Sequence, residues 1–261
     1  MRTVKSKDGT DIAYDIYGSG PVLIYITGAI CFRNFMPVVK DAKVFGSEFS
    51  VYNYDRRGRG DSTNILPYSI EREVEDIEAL IDAAGGSAVL YGHSSGAVLA
   101  LEAGLKFPSK VKKIFLYDAA YASSEKDQRE YLGLMSEVTE LIRANKNAAA
   151  LRKFVIGIGM PKVFAYLLPV MPGWKTMKAL APTLAYDMIL TKGLPPFERA
   201  AKLKVPTKIA YGEKSPCSMH VVAKDLAHTL PEKDSLQVAG QDHMVSAKIL
   251  LPLLKEFLTA D

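Results

Sequence analysis

The chain has 261 residues, 48% of them apolar and 24% charged, an ordinary globular mixture at a length that suits one large α/β domain or a core carrying one insertion. This excludes a disordered chain, a collagen-like chain and a disulfide scaffold; apolar stretches such as Val163–Met171 are far shorter than the ~20 residues that cross a bilayer, so no membrane span is expected. The 33 basic and 29 acidic residues, a formal charge of +4, are dispersed along the chain, too mild a balance to predict nucleic-acid or membrane-surface partners.

The first eight residues, Met1 to Asp8, are polar and lack the apolar core of a signal peptide, so none is expected. A strand pair is predicted to open the fold. Thr10–Tyr17 alternates apolar and polar residues, the turn Gly18-Ser19-Gly20-Pro21 punctuates it, and Val22–Thr27 reads as a buried strand. Ser50–Tyr54 is the next buried strand. Ile70–Ala84 then places Val74, Ile77, Leu80 and Ile81 on one helical stripe and stops at Gly85-Gly86. A buried strand at Ser87–Tyr91, a helix at Ala97–Lys106 and a buried strand at Lys113–Tyr117 follow. Strands alternating with helices at this spacing predict a mostly parallel sheet covered on both faces.

The rhythm breaks at residues 122–196, where only helical patterns appear, separated by Pro161, Pro169, Pro172-Gly173, Pro182 and Pro195-Pro196. This segment reads as a helical insertion, leaving residues 1–121 and 197–261 as the core. It holds five of the nine methionines (Met135, Met160, Met171, Met177, Met188) and the only tryptophan, Trp174. Methionine fills irregular gaps adaptably, so these side chains either line an apolar pocket or pack the insertion onto the core. The core resumes with strands at Thr207–Tyr211 and about Ser235–Val238 and a terminal helix from about Val245.

Gly92-His93-Ser94-Ser95-Gly96 lies between a predicted buried strand and a predicted helix. A strand-to-helix turn of the form G-x-S-x-G holds its serine in a sparsely populated backbone region, and only small residues two positions to either side avoid a clash. A serine hydroxyl needs a general base, and the chain has four histidines. His93 is locked inside the turn, and His220 and His228 fall in a predicted surface helix. His243 follows the last strand in Ala239-Gly240-Gln241-Asp242-His243, at the sheet edge where parallel sheets present ligand sites, and is the candidate base.

Together, the loop at Gly28, the turn Asp55-Arg56-Arg57-Gly58-Arg59-Gly60-Asp61-Ser62, the G-x-S-x-G turn and the late Gly-x-x-His resemble the α/β-hydrolase superfamily over essentially the whole chain. The resemblance implies an α/β-hydrolase fold, a mostly parallel central sheet flanked by helices, with a helical cap inserted after the strand ending near Tyr117. It also implies Ser94 as nucleophile and an oxyanion hole made by the backbone N–H groups of Ala29 and Ser95. Family members often carry His-Gly where this chain has Thr27-Gly28, a change that leaves backbone donors in place. A larger departure is Gly212-Glu213-Lys214-Ser215, where the family typically has G-x-x-D and this chain has Ser215. Some members, including certain haloalkane dehalogenases, carry the acid one strand earlier. Asp118, directly after Tyr117, is therefore the candidate acid, with Glu213 and Asp242 as alternatives. The basic run Arg56-Arg57-Gly58-Arg59, flanked by Asp55 and Asp61, reads as a structural turn.

Cys31 and Cys217 are too few for a disulfide framework and read as buried or incidental thiols, which points to a reducing, cytoplasmic setting. No Cys/His cluster has metal-ligand spacing, and neither a P-loop nor a dinucleotide-binding glycine pattern is present, so no metal or cofactor is expected. The expected activity is hydrolysis of an ester, thioester or lactone of a small, moderately hydrophobic substrate. A cofactor-free perhydrolase, a C–C bond hydrolase or a non-catalytic ligand receptor are the alternatives. The oligomeric state stays open.

Overall fold

The computed structural model describes residues 1–231 and 235–259; the predicted core range 197–261 thus includes residues 232–234 and 260–261, which lie outside the described residues. Eight strands form one sheet: β1 (Arg2–Lys5), β2 (Asp11–Tyr17), β3 (Val22–Ile26), β4 (Ser50–Tyr54), β5 (Ala88–His93), β6 (Val111–Tyr117), β7 (Thr207–Gly212) and β8 (Ser235–Val238). Their spatial order is β1-β2-β4-β3-β5-β6-β7-β8. β4, β3, β5, β6, β7 and β8 run parallel, and β1 and β2 form an antiparallel edge.

That order corrects the predicted opening pair. β2 lies antiparallel beside β4, with Tyr14 opposite Tyr54, and β3 lies on the far side of β4. Alternation says which face a side chain takes but not which strand lies alongside. The polar N-terminus, read only as a segment without a signal peptide, supplies the edge strand β1, paired with β2 from Arg2↔Tyr14 to Lys5↔Asp11.

Side chains of the central strands divide by period two. Ile24, Ile26, Leu90, Ile114 and Leu116 enter one apolar layer, while Leu23, Tyr25, Val89, Tyr91, Phe115 and Tyr117 enter the other. Helix α1 (Met36–Phe45), which the sequence reading missed, buries Val38, Ala42 and Phe45 on the second face, where the terminal helix also packs. The first face is covered by α2 (Ile70–Ala83), whose predicted stripe of Val74, Ile77, Leu80 and Ile81 is buried. Ser69 caps this helix by accepting from Arg72 N at 3.3 Å. Beside it lies α3 (Ser95–Lys106), apolar on nearly every side because it sits between the sheet and its neighbours.

Between β6 and β7, the described residues form helices and no strand: α4 (Glu125–Arg143), α5 (Asn147–Gly157), α6 (Lys162–Leu167), α7 (Trp174–Ala179) and α8 (Leu184–Thr191). They share a third apolar cluster that includes Leu151, Phe154, Met177, Leu184 and Met188, with Met135, Met160, Met171 and Trp174 packed against it. The five methionines of this segment thus pack on the segment's own apolar cluster. Phe32 from the loop after β3 also joins the cluster, so the segment meets the core at the C-terminal edge of the sheet. The chain continues through α9 (Phe197–Ala200), α10 (Cys217–Thr229) and α11 (Ala247–Thr259).

Candidate active site

Ser94 links β5 to α3 with φ 59° and ψ −124°, a conformation costly for any residue with a side chain and tolerated only where the surroundings enforce it. Its N–H donates to Tyr117 O at 3.0 Å, which ties the turn to the end of β6. Crowding explains the flanking glycines. A Cβ on Gly92 would meet Gly96 O at 2.5 Å, and one on Gly96 would collide with Ile26 O. A Cβ on Gly28 would lie 2.9 Å from Ser94 Cβ and 3.4 Å from Ser94 Oγ, so the loop after β3 passes directly over the serine.

Asp118 follows Tyr117 at the end of β6, is fully buried, and has φ 47°. Its Oδ2 lies 3.0 Å from His243 Nδ1 and accepts from Ser215 Oγ at 2.6 Å, while its Oδ1 accepts from Gly212 N at 3.3 Å. The structure therefore brings the candidate acid and the candidate base into contact, although they are 125 residues apart. Ser215, standing where the family typically has an acid, donates to Asp118. Glu213 instead faces outward and accepts from Gly240 N at 2.6 Å, and the exposed Asp242 carboxylate accepts from Met244 N at 2.8 Å.

His243 is held from three sides. Its ring lies 4.8 Å, centroid to centroid, from the ring of His93, whose Nε2 donates to His243 O at 2.8 Å. Tyr117 Oη donates to the preceding carbonyl, Asp242 O, at 2.7 Å. Burial and the adjacent His243 ring push the His93 pKa down to about 4, so at neutral pH His93 is an uncharged bracket. With Nδ1 turned to a buried carboxylate, the His243 imidazole has Nε2 left to accept a proton. His220, expected on a surface helix, is half-buried in α10 with Nε2 2.9 Å from Gly212 O, and His228 is exposed.

The arginine-rich turn is buried. Arg56, Arg57 and Arg59 are each at most 1% exposed and present no basic surface. Arg57 forks onto Asp76 at 2.8 and 2.7 Å, and Arg56 onto Glu73 at 2.6 and 3.1 Å. Arg56 and Arg59 also reach Asp187 of α8, which is buried and accepts from Ser95 Oγ as well. Burial alone would raise the Asp187 pKa; Arg59 and Arg56 outweigh it and hold this carboxyl below its ordinary value, as an anion. Sequence reasoning missed Asp187. A signal was present: it is the single acidic residue between Glu140 and Glu198, inside the apolar run Leu184–Leu190.

Cys31 is half-buried after β3, its thiol pushed up to about 11 by burial, and Cys217 is exposed at the start of α10. Among the described residues no group of three or more His, Cys, Asp or Glu side chains is arranged to hold a metal ion, and no helix is long and apolar enough to cross a membrane.

The Alpha/beta hydrolase family matches the chain over residues 23–248, and the protein belongs to that family. It is 34% identical to an alpha/beta hydrolase from Sphaerobacter thermophilus DSM 20745, whose crystal structure superposes with a TM-score of 0.88 over 98% of this chain and 100% of that one. It is 24% identical to a putative carbamate hydrolase, RutD, of Azorhizobium caulinodans, over 91% of this chain and 89% of that protein. A shorter match, 28% identical over 118 residues, joins 43% of this chain to 42% of the proline iminopeptidase PfmaB of Pestalotiopsis fici.

Proposed function

We propose that this hydrolase is a serine esterase-type enzyme that cleaves an ester, thioester or lactone of a small, moderately hydrophobic substrate through an acyl-enzyme on Ser94. Ser94 Oγ attacks the carbonyl carbon while His243 Nε2 takes its proton, and Asp118 orients the ring and stabilises the imidazolium. The backbone N–H groups of Ala29 and Ser95 hold the oxyanion. Collapse of the tetrahedral intermediate breaks the bond to the leaving alcohol or thiol, which receives the proton from His243. Water then attacks the acyl-enzyme with His243 again as base, releasing the carboxylic acid and restoring Ser94. In this reading residues 1–121 and 197–261 are the core and residues 122–196 a helical cap whose apolar cluster meets the loop carrying Ala29.

The observation that carries the reading is the 3.0 Å contact between His243 Nδ1 and the buried Asp118 carboxylate, at the end of the strand to which the N–H of Ser94, held at φ 59°, is hydrogen-bonded through Tyr117 O. The relationship to a putative carbamate hydrolase is in keeping with attack on a carbonyl carbon. Labelling with a fluorophosphonate, mapped by mass spectrometry, is expected to modify Ser94; modification at another residue overturns the assignment. Against p-nitrophenyl esters of graded acyl length, Asp118→Asn is expected to lower kcat by a factor on the order of 10³–10⁴. Full activity in that variant would overturn Asp118 as the acid.

A further inference from the structure

Both proposed oxyanion donors converge on one buried carboxylate that lies in the inserted helical segment. Asp187 Oδ1 accepts from Ser95 Oγ at 2.7 Å, and Ser95 carries one donor on its own backbone nitrogen. Asp187 Oδ2 accepts from Arg59 Nη2 at 2.6 Å, and the other arm of that guanidinium, Nη1, donates to Gly28 O at 2.8 Å and to Cys31 O at 3.3 Å. Gly28 C=O and Ala29 N–H belong to one planar trans peptide and point in opposite directions. Holding the carbonyl therefore sets where the Ala29 N–H points. Arg56 Nη1 closes the web, donating to Asp187 Oδ1 at 2.7 Å, to Ser95 Oγ at 3.2 Å and to Thr27 O at 3.4 Å. The carboxylate and both arginines are each 1% exposed, so these charge-assisted bonds act without competition from bulk water.

We infer that Asp187 is a positioning residue for the oxyanion hole, aligning Ser95 directly and the Gly28–Ala29 peptide through Arg59, so that the inserted segment assembles the hole when α8 is docked. The inference rests on the serine-hydrolase reading. A rigid guanidinium fork can hold a carboxylate on one side and a carbonyl on the other at fixed separation, which a single point charge cannot do. Misalignment of preorganised donors costs most in the transition state, when the negative charge on oxygen has developed. Asp187 thus acts on turnover more than on substrate binding.

The test uses the full chain and compares Asp187→Asn, which keeps the shape and removes the charge, with Ser95→Ala, which keeps the backbone N–H and leaves no unpaired buried charge. For variants with the wild-type far-UV spectrum, Asp187→Asn is expected to lower kcat on a p-nitrophenyl ester by about 10- to 100-fold, with KM changed less than twofold. Affinity for a trifluoromethyl ketone, whose adduct with Ser94 places an oxyanion in the hole, should fall by the same factor. Ser95→Ala should move both quantities in the same direction by a smaller factor, and it serves alone if Asp187→Asn does not fold. A wild-type kcat in the folded variants overturns the inference. So does a loss confined to KM, or a ketone affinity that stays constant while kcat falls. Wild-type labelling at Ser94 is measured first: its absence removes the serine-hydrolase reading itself, whereas labelled wild type with unaffected variants removes only the role of Asp187.

Discussion

At the scale of single residues, His93 shows how a side chain beside the candidate nucleophile holds the candidate base without being one. Its Nε2 holds the His243 carbonyl and its ring packs on the His243 ring. With its pKa near 4, against an ordinary value of about 6.5, the unfolded chain binds a proton between pH 6.5 and 4 that the folded chain refuses. The sign follows: the stability associated with neutral His93 is present above pH 6.5 and is lost as the pH falls through that window. Asp41 and Asp76, each raised to about 6 by burial, titrate there with the opposite sign, so the His93 contribution is isolated by difference. The urea-unfolding free energy of wild type minus that of His93→Gln is expected to shrink from pH 7 to pH 4; a constant difference would refute the assignment.

Among the elements, the turn between β5 and α3 is limited by backbone crowding rather than by propensity. In Gly96→Ala the new methyl would run into Ile26 O and lie 2.8 Å from Thr27 O, both in backbone that cannot move without shifting β3. A loss of about 1–3 kcal/mol is expected by urea denaturation, with activity lost as well because β3 carries the loop over Ser94. Gly133 is the control: it lies inside α4, and a methyl added there would have no neighbour within 4 Å. Gly133→Ala should stabilise by about 0.5–1 kcal/mol, since only helix propensity operates there.

For the whole molecule, the arginine-rich turn fastens the antiparallel edge, α2 and the inserted segment to one another through buried ion pairs. Arg57 is fully buried against Asp76, and its other arm reaches Asp8 at 2.9 Å. Arg57→Met is expected to cost about 3–5 kcal/mol, because it leaves the Asp76 charge buried without its cationic partner. Burial already lifts that carboxyl to about 6 against the opposing pull of Arg57. Adding Asp76→Leu should recover more than half of the loss in urea melts, since removing both charges also removes the desolvation penalty; no recovery would point to Asp8 as the partner that matters.

The parallel strands, the α2 stripe and the G-x-S-x-G turn were legible because each is written in local periodicity or in a run of five residues. Ser94 and His243 followed as candidates from spacing against those strands, and Asp118 as a candidate from the family resemblance together with its place at a strand end. β1 and α1 were missed: the first is short and polar, and the second begins at Met36-Pro37 without a side-chain cap hydrogen bond. The neighbour of β2, the contact of Ser215 with Asp118, the bracket formed by His93 and the reach of Asp187 to Ser95 had no local signature. Each joins groups far apart in the chain or depends on which strand lies beside which. The sequence by itself determined the α/β class and the order of its candidate site residues, because covalent neighbours set periodicity and turn sterics. Only the tertiary structure decided which buried charges compensate one another, because removing ions from water requires partners wherever the folded chain supplies them.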